Sequence, residues 1–542
     1  MKIMKFAKLL LAFGFALPMI AHAETKEYNL VIARQNVTIN GVTSNKITIN
    51  NTLPGPVLRF KDGDEAIVHV TNNMNEDTSV HWHGLIVPGN MDGAPGFNGT
   101  MPIKPNETFT YKFPIKQSGT YWYHSHTLGQ EQEGLYAGII IDPKEEQIKS
   151  DREYVILLSD YKHESAKQTL QHLKSSSDYY QYHRKTIVDY LKDAKERGFG
   201  AASKTSLEWG KMRMLPTDLS DVTGYDFLIN GMTPNQNWTG IYKKGEKIRL
   251  RFINASAMSM YDVRIPGLKM TIVQADGQDV EPVQVDEFRF GNAETYDVIV
   301  EPKDDKPYTI TAEPIDRTGF AIGTLATSLG QVGEKPVARP RALLTMSDMN
   351  MELMMKDDPN MDMSNIPPSG WANSNAPEGT RILEYSDLRA LNPQTDLREP
   401  TRDIVVRLGG NMERYIWTMD GHVFDPKRGF KVDFNERVRL TYINETMMAH
   451  PIHLHGMFVQ LENGQDMDKM PSKHTVIVPP GQTLSVLLTA NNPGDWPFHC
   501  HLFFHMASGM MTQISVAQPD TPKETIPMMD MPKMNHGGHN EH

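Results

Sequence analysis

The chain has 542 residues, enough for three or four domains at roughly 100–200 residues each. Its formal charge of -11 excludes the basic footprint of a nucleic-acid partner. Its single cysteine, Cys500, excludes disulfides as the source of stability, so the fold has to rest on hydrophobic cores.

Residues 1–23 place Lys2, Lys5 and Lys8 ahead of an apolar stretch that ends in Ala21-His22-Ala23, the pattern of a secretory signal peptide. That stretch is shorter than the ~20 residues of a spanning helix. The mature chain is therefore expected in the periplasm, with no membrane span and no nucleic-acid partner. From residue 24 to about 148, runs such as YNLVIARQNVTI, AIVHVTNN and TFTYKFPI, set between Gly, Pro and Asn turns, predict a β-sandwich. Similar runs predict a second sandwich over 149–340 and a third over 381–519. EAIVHVTNN, EKIRLRFINAS and ERVRLTYINET each put a charged turn before a strand that ends in Asn, an echo at the period of tandem domains. The spacing predicts a helical insertion over about 163–200. Residues 341–380 read as a Met-rich linker, and 520–542 as a flexible His- and Met-rich tail.

Four His-x-His pairs stand out: His81/His83, His124/His126, His453/His455 and His499/His501. Chance predicts about 0.7 such pairs for this histidine content. On a strand, residues two apart project to one side, so each pair can grip a metal. In His499-Cys500-His501 the same alternation sends the sulfur to the opposite side, which joins two sites through one backbone. His450, His505, Cys500 and an axial Met510 form the two-imidazole, thiolate and thioether set of a blue-copper centre, and the eight paired histidines suffice for three further copper ions. His69, His163, His172, His183, His422 and His474 have no such partners and read as ordinary histidines.

HWHG, YWYHSH, HPIHLHG and HCHLFFHMASGM resemble the four copper motifs of the multicopper oxidases, in that family's order. The segments DYYQYHRKTIVDYL, MRMLPTDLSDVTGYDFLINGMTPNQNW and LRFINASAMSMYDVRIPGLKM further resemble its CopA-type copper-resistance branch. The resemblance implies an all-β chain of three tandem cupredoxin-like Greek-key sandwich or barrel domains, with the helical insertion in the second. It implies four copper ions: one type 1, one type 2 on His81 and His453, and a type 3 pair on His83, His124, His126, His455, His499 and His501. It also implies an oxidase that takes single electrons from Cu(I) or phenols at the type 1 copper and reduces O2 to water at the other three. Asp92 resembles an acidic residue that relatives place near the cluster, where a carboxylate can pass protons. The carboxylate that some members carry right after the last histidine is here Met506.

Thioethers select Cu(I) and carboxylates attract it. Met346, Met349, Met351, Met354, Met355, Met361 and Met363 are thus candidate substrate-copper ligands, as are Met419 and Asp420. Met447, Met448 and Met457 flank the His450 motif. Other periplasmic copper-handling proteins are candidate partners. The alternative function is a copper-sequestering protein whose oxidase activity is incidental.

Overall fold

The computed structural model describes residues 24–181, 186–211, 219–345, 348 and 371–519. The expected signal peptide and tail and the substrate-copper candidates Met346, Met349, Met351, Met354, Met355, Met361 and Met363 lie outside these residues.

Six sheets form three successive pairs along the chain. The first pair has four strands in each sheet, the middle pair six in each, and the last pair six and five. In each pair the opening strand runs parallel to a later one: Thr25–Ile39 beside Glu65–Asn72, Arg152–Tyr161 beside Ile248–Asn254, and Asp403–Asn411 beside Arg437–Asn444. These later strands are the three members of the sequence echo, so the repeat marks the same topological position in every domain. Their terminal asparagines explain why the echo ends as it does. Asn72, Asn254 and Asn444 are buried, and each side-chain oxygen accepts the backbone N–H two residues on, from Met74, Ser256 and Thr446. Each amide nitrogen donates to a carbonyl of crossing chain: Ile103 in the first domain, Phe290 in the second, and Val478 and Pro479 in the third. One residue type thereby satisfies the exposed backbone of a sharp turn where no ladder partner exists.

The architecture is the three tandem cupredoxin-like domains that the resemblance implies. Two boundaries differ from the expectation. The helical insertion comprises Ala166–Ser175, Ile187–Arg197 and Phe199–Lys211, and so runs past residue 200. Gly198, at φ +86, caps one helix while its carbonyl accepts Ala202 N–H and starts the next, so a glycine that reads as a stop also serves as a start. At the other end, Ile382–Leu383 pairs with Glu287–Phe290, and Leu391 N–H donates to Asp279 O. The stretch after 381 thus edges the middle domain, and the third domain's strands begin at Asp403. Edge pairing of this kind leaves no hydrophobic period to read.

The first domain has its own core, built on Trp82, Tyr111, Phe113 and Tyr123. One continuous core runs through the second and third. The faces between first and third domains are where the histidine motifs meet.

Candidate metal centre

The strand His450–Leu454 lies between Thr475–Val478 and Gly494–Cys500, with His453 opposite His499 and Ile452 opposite Cys500. In the first domain His81 faces His124 across the strands His81–His83 and Gly119–His124. Docking of these two sheets gathers eight histidine rings. His81 stacks on His455 with centroids 3.8 Å apart, and His83 on His453 at 3.7 Å.

On the far side of the last strand, Cys500 Sγ lies 3.5 Å from His450 Nδ1 and 3.8 Å from His505 Nδ1. The five-residue helix Phe503–Ala507 carries His505, and Gly509, at φ +121, turns the chain back towards Met510. A Cβ on Gly509 would stand 2.6 Å from Trp417 O, so only glycine fits. Met510 is fully buried; its N–H donates to His505 O at 3.0 Å and its carbonyl accepts Cys500 N–H at 3.1 Å. Of the four residues read as one site from the sequence, Cys500, His505 and Met510 are thus joined by backbone bonds, and His450 meets Cys500 and His505 side chain to side chain.

The outer nitrogen of nearly every ring has an acceptor. His81 Nδ1 donates to Asp92 O at 2.8 Å, His455 Nδ1 to Asp92 Oδ2 at 2.8 Å, and His453 Nδ1 to His474 O at 2.7 Å. His124 Nδ1 and His499 Nδ1 each donate at 3.0 Å, to Ser125 O and Cys500 O. What remains is a set of bare nitrogens: Nε2 of His81, His124 and His453, Nδ1 of His83 and both ring nitrogens of His501 are buried without a hydrogen-bond partner. His455 Nε2 and His499 Nε2 are 3.1 Å apart, yet both rings have used their proton on the outer side, so two lone pairs face each other. His450 Nδ1 and His505 Nδ1 meet in the same way at 3.2 Å, with their Nε2 atoms bonded to Thr446 Oγ1 and Asp221 Oδ2. Converging lone pairs of this kind are stable only around a cation. Burial holds His83, His124, His126, His450, His453, His455 and His501 well below the ordinary imidazole range and brings His499 down to about 3, which keeps the rings in the neutral, ligating form. The donor sets therefore fit copper: a soft thiolate with two imidazoles in one site, imidazoles alone in the other.

The multicopper oxidase family matches this chain over residues 31–146, 152–329 and 397–520. Copper resistance protein A of Escherichia coli is 43% identical over 93% of this chain and 95% of its own length. A copper resistance protein A homolog of Pseudomonas syringae pv. tomato is 42% identical over 91% and 92%. Among solved structures, Fet3p, a multicopper oxidase that functions in iron import, superposes with a TM-score of 0.69 at 20% identity, over 91% of this chain and 90% of its own. A laccase from Botrytis aclada gives 0.67 at 22%, over 91% and 88%. The chain belongs to the multicopper oxidase family. Its cofactors are four copper ions, one type 1, one type 2 and a type 3 pair, and its substrates are O2 and a reductant.

Within this oxidase Asp92 holds two histidines at once, His81 through its carbonyl and His455 through its carboxylate. Met419 and Asp420 fall elsewhere, on the wall of a separate cleft of about 360 Å³ with His422 and Met511, and Asp420 Oδ1 accepts Arg407 N–H. Met457 is a buried core residue.

Four functional neighbours escaped the sequence. Asp221, from the middle domain, accepts both His505 Nε2–H at 2.7 Å and Tyr415 O–H at 2.8 Å. Glu131 is buried with Oε2 3.2 Å from His124 Nδ1 and Oε1 3.8 Å from His501 Nδ1, and burial raises its carboxyl well above the usual range. His474, read as an ordinary histidine, lies against His83 and His453. Met412 lines a pocket together with Met447, Met448 and two residues that contact His450, Trp417 and Thr446. Only Glu131 had a local signal, a carboxylate five residues after His126; the others arrive from distant segments.

Proposed function

We propose that this multicopper oxidase is an exported, periplasmic cuprous oxidase that converts Cu(I) to Cu(II) and serves copper resistance. The names of the two bacterial relatives, the lysine-led leader and the absence, among the described residues, of any helix long and apolar enough to cross a membrane accord with that reading. On this reading His450, Cys500, His505 and Met510 hold the type 1 copper, His81 and His453 the type 2 copper, and His83, His124, His126, His455, His499 and His501 the type 3 pair. Bound there, copper supplies one-electron acceptance at the thiolate site and four-electron reduction of O2 to water at the cluster. The chain itself contributes the covalent link from Cys500 to His499 and His501, the orientation of His81 and His455 by Asp92, and a carboxylate there through which protons can pass. A cleft of about 450 Å³, walled by Pro95, Phe97, Phe424 and Met506, opens on half-buried His126 and gives O2 a route inward.

The observation that carries Cu(I) as donor is a pocket whose wall residue Thr446 bonds His450. It is lined by Met412, Met447 and Met448 with Glu445 and Thr446, and it holds about 50 Å³. An apolar cavity that takes benzene is about 150 Å³, so this pocket suits an ion and not a phenol ring. Its thioethers are the donors that a soft cation seeks, and its one carboxylate, Glu445, is paired with Arg407. Thr446 Oγ1 bonds His450 Nε2 at 2.7 Å and so connects the pocket wall to a type 1 ligand, and Asn444 fixes that turn. His505 is covered instead: Trp417 stacks on its face at 3.8 Å and Asp221 closes its Nε2.

The test is O2 uptake by copper-loaded protein with Cu(I) and with a phenol as donors. Leucine at both Met447 and Met448 keeps volume, a change that ordinarily costs under about 1.5 kcal/mol of stability. The double variant is expected to lose about tenfold or more in kcat/KM for Cu(I), equivalent to ~1.4 kcal/mol, with phenol oxidation retained. Unchanged Cu(I) oxidation would sink the reading, and equal losses with both donors would place the damage at the type 1 site. Deleting residues 346–363 is expected to slow Cu(I) oxidation alone; unchanged oxidation of both donors with less copper per chain would instead favour sequestration.

A further inference from the structure

We propose that His474 is a positioning residue for the histidine cluster: its ring holds His83 and its carbonyl holds His453, so that one residue sets the tautomers of two metal ligands. The inference rests on the ligand assignment proposed above.

His83 is the member of the cluster whose Nδ1 is bare while its Nε2 is bonded; His501 has both ring nitrogens bare. A neutral imidazole has one proton. If Nδ1 faces metal, Nε2 carries that proton and needs an acceptor outside the cluster. His474 Nδ1 stands 3.2 Å from His83 Nε2, with Thr475 Oγ1 at the same distance. His453 is arranged the other way round: its Nδ1 donates to His474 O at 2.7 Å and its Nε2 is left bare. The two ligands thus present different nitrogens inward, and His474 receives the outer proton of each. Nitrogens of His83, His453 and His474 lie close enough together to suggest a metal site of their own. Two of them are N–H donors already engaged with His474, so the trio is a hydrogen-bonded support and not a further site.

His474 is itself held from the middle domain, which donates no ligand. Its backbone N–H and that of Thr475 donate to Asp276 Oδ2 at 3.2 and 3.1 Å. Asp276 sits in the turn between the strands Met270–Ala275 and Gln278–Val285. On its other side the ring passes Gly84, the glycine of HWHG, at φ +81; a Cβ there would stand 2.5 Å from His474 Cδ2. The first domain thus makes room for the ring, the third supplies it and the second anchors it.

The test uses the full copper-loaded chain and follows copper per chain as a chelator is titrated, with the visible absorption of the thiolate site as internal reference. His474→Ala and His474→Leu remove the acceptor, whereas in His474→Asn the amide oxygen can replace Nδ1. Losing such an outer partner costs about 10–100-fold in metal affinity. The alanine and leucine variants are therefore expected to release the cluster copper at about 10–100-fold lower chelator concentration while the thiolate absorption follows the wild-type curve, and His474→Asn is expected to stay within about threefold of wild type. Gly84→Ala, which displaces the His474 ring without removing it, should show the same loss. Wild-type retention in the alanine, leucine and Gly84→Ala variants overturns the proposal, as does release from His474→Asn as easy as from His474→Ala. If the wild type itself holds no copper beyond the thiolate site, the ligand assignment has failed and this inference falls with it.

Discussion

Cys500→Ser is expected to abolish the visible absorption and reduce O2 uptake with any donor to background, while the chain still folds and retains close to three coppers. The substitution is small and the position fully buried, so the third-domain core is little disturbed. What changes is the donor. Serine offers a hard hydroxyl where a soft thiolate selected copper, and His450 Nδ1 and His505 Nδ1, 3.2 Å apart, lose the sulfur that completes their site. The histidine cluster keeps its bare nitrogens, because none of them depends on the sulfur. The path for electrons is lost at its first covalent bond, since His499 and His501 reach the thiolate site only through the Cys500 backbone. Metal analysis, absorption and oxygen consumption on one preparation decide the matter. Retained turnover would refute the route through Cys500, and loss of all copper would show that the two sites load as one.

This site was legible in the sequence because its parts are local. A His-x-His pair on a strand, a cysteine between two histidines, and a histidine and methionine five and ten residues on are all set by strand alternation and one short turn, before any tertiary fact is known. The three-fold echo was legible for the same reason, and the structure adds its cause: Asn72, Asn254 and Asn444 close equivalent turns. Asp221, Met412 and His474 were illegible because their roles exist only after domains pack. His474 follows a lysine and precedes a threonine, with nothing in that spacing to say that His83 lies 3.2 Å away. Met419 and Asp420 are the converse case. Their residue types suit copper, but the hairpin that carries them closes Asp420 onto Arg407 N–H and faces another cleft. Chemistry at one position could be inferred; which cavity it would face could not.

Lys473→Met is expected to cost ~3–5 kcal/mol of stability at neutral pH, read as a fall in the denaturation midpoint. Lys473 Nζ lies 3.0 Å from both Asp276 Oδ2 and Glu294 Oε1, and none of the three side chains is accessible to solvent. The rings of Tyr296 and Tyr385 face the ammonium at 5.2 and 5.4 Å. Burial works against the Lys473 charge, but Asp276 and Glu294 outweigh it and hold its pKa above the ordinary range; burial pushes the Glu294 carboxyl up in turn. Removing the cation leaves two carboxylates in a dry space between the second and third domains, a far worse state than either the intact triad or an apolar substitute for it. Folding of the variant must then take up a proton, which gives the deficit a pH dependence of known sign. A carboxyl whose folded pKa is raised contributes stability that is present below its unfolded value near 4 and is lost as pH rises through the folded value. The gap between variant and wild type should therefore narrow towards pH 4 and widen towards 7. Adding Glu294→Gln should recover part of the loss at pH 7, because it removes one of the two stranded charges. A deficit that ignores pH, or that the second substitution deepens, would mean that Lys473 acts through packing alone. Because His474 follows Lys473 and hangs from the same Asp276 oxygen, the variant should also release cluster copper more easily than wild type, which makes the middle domain's salt bridge a part of the metal centre's support.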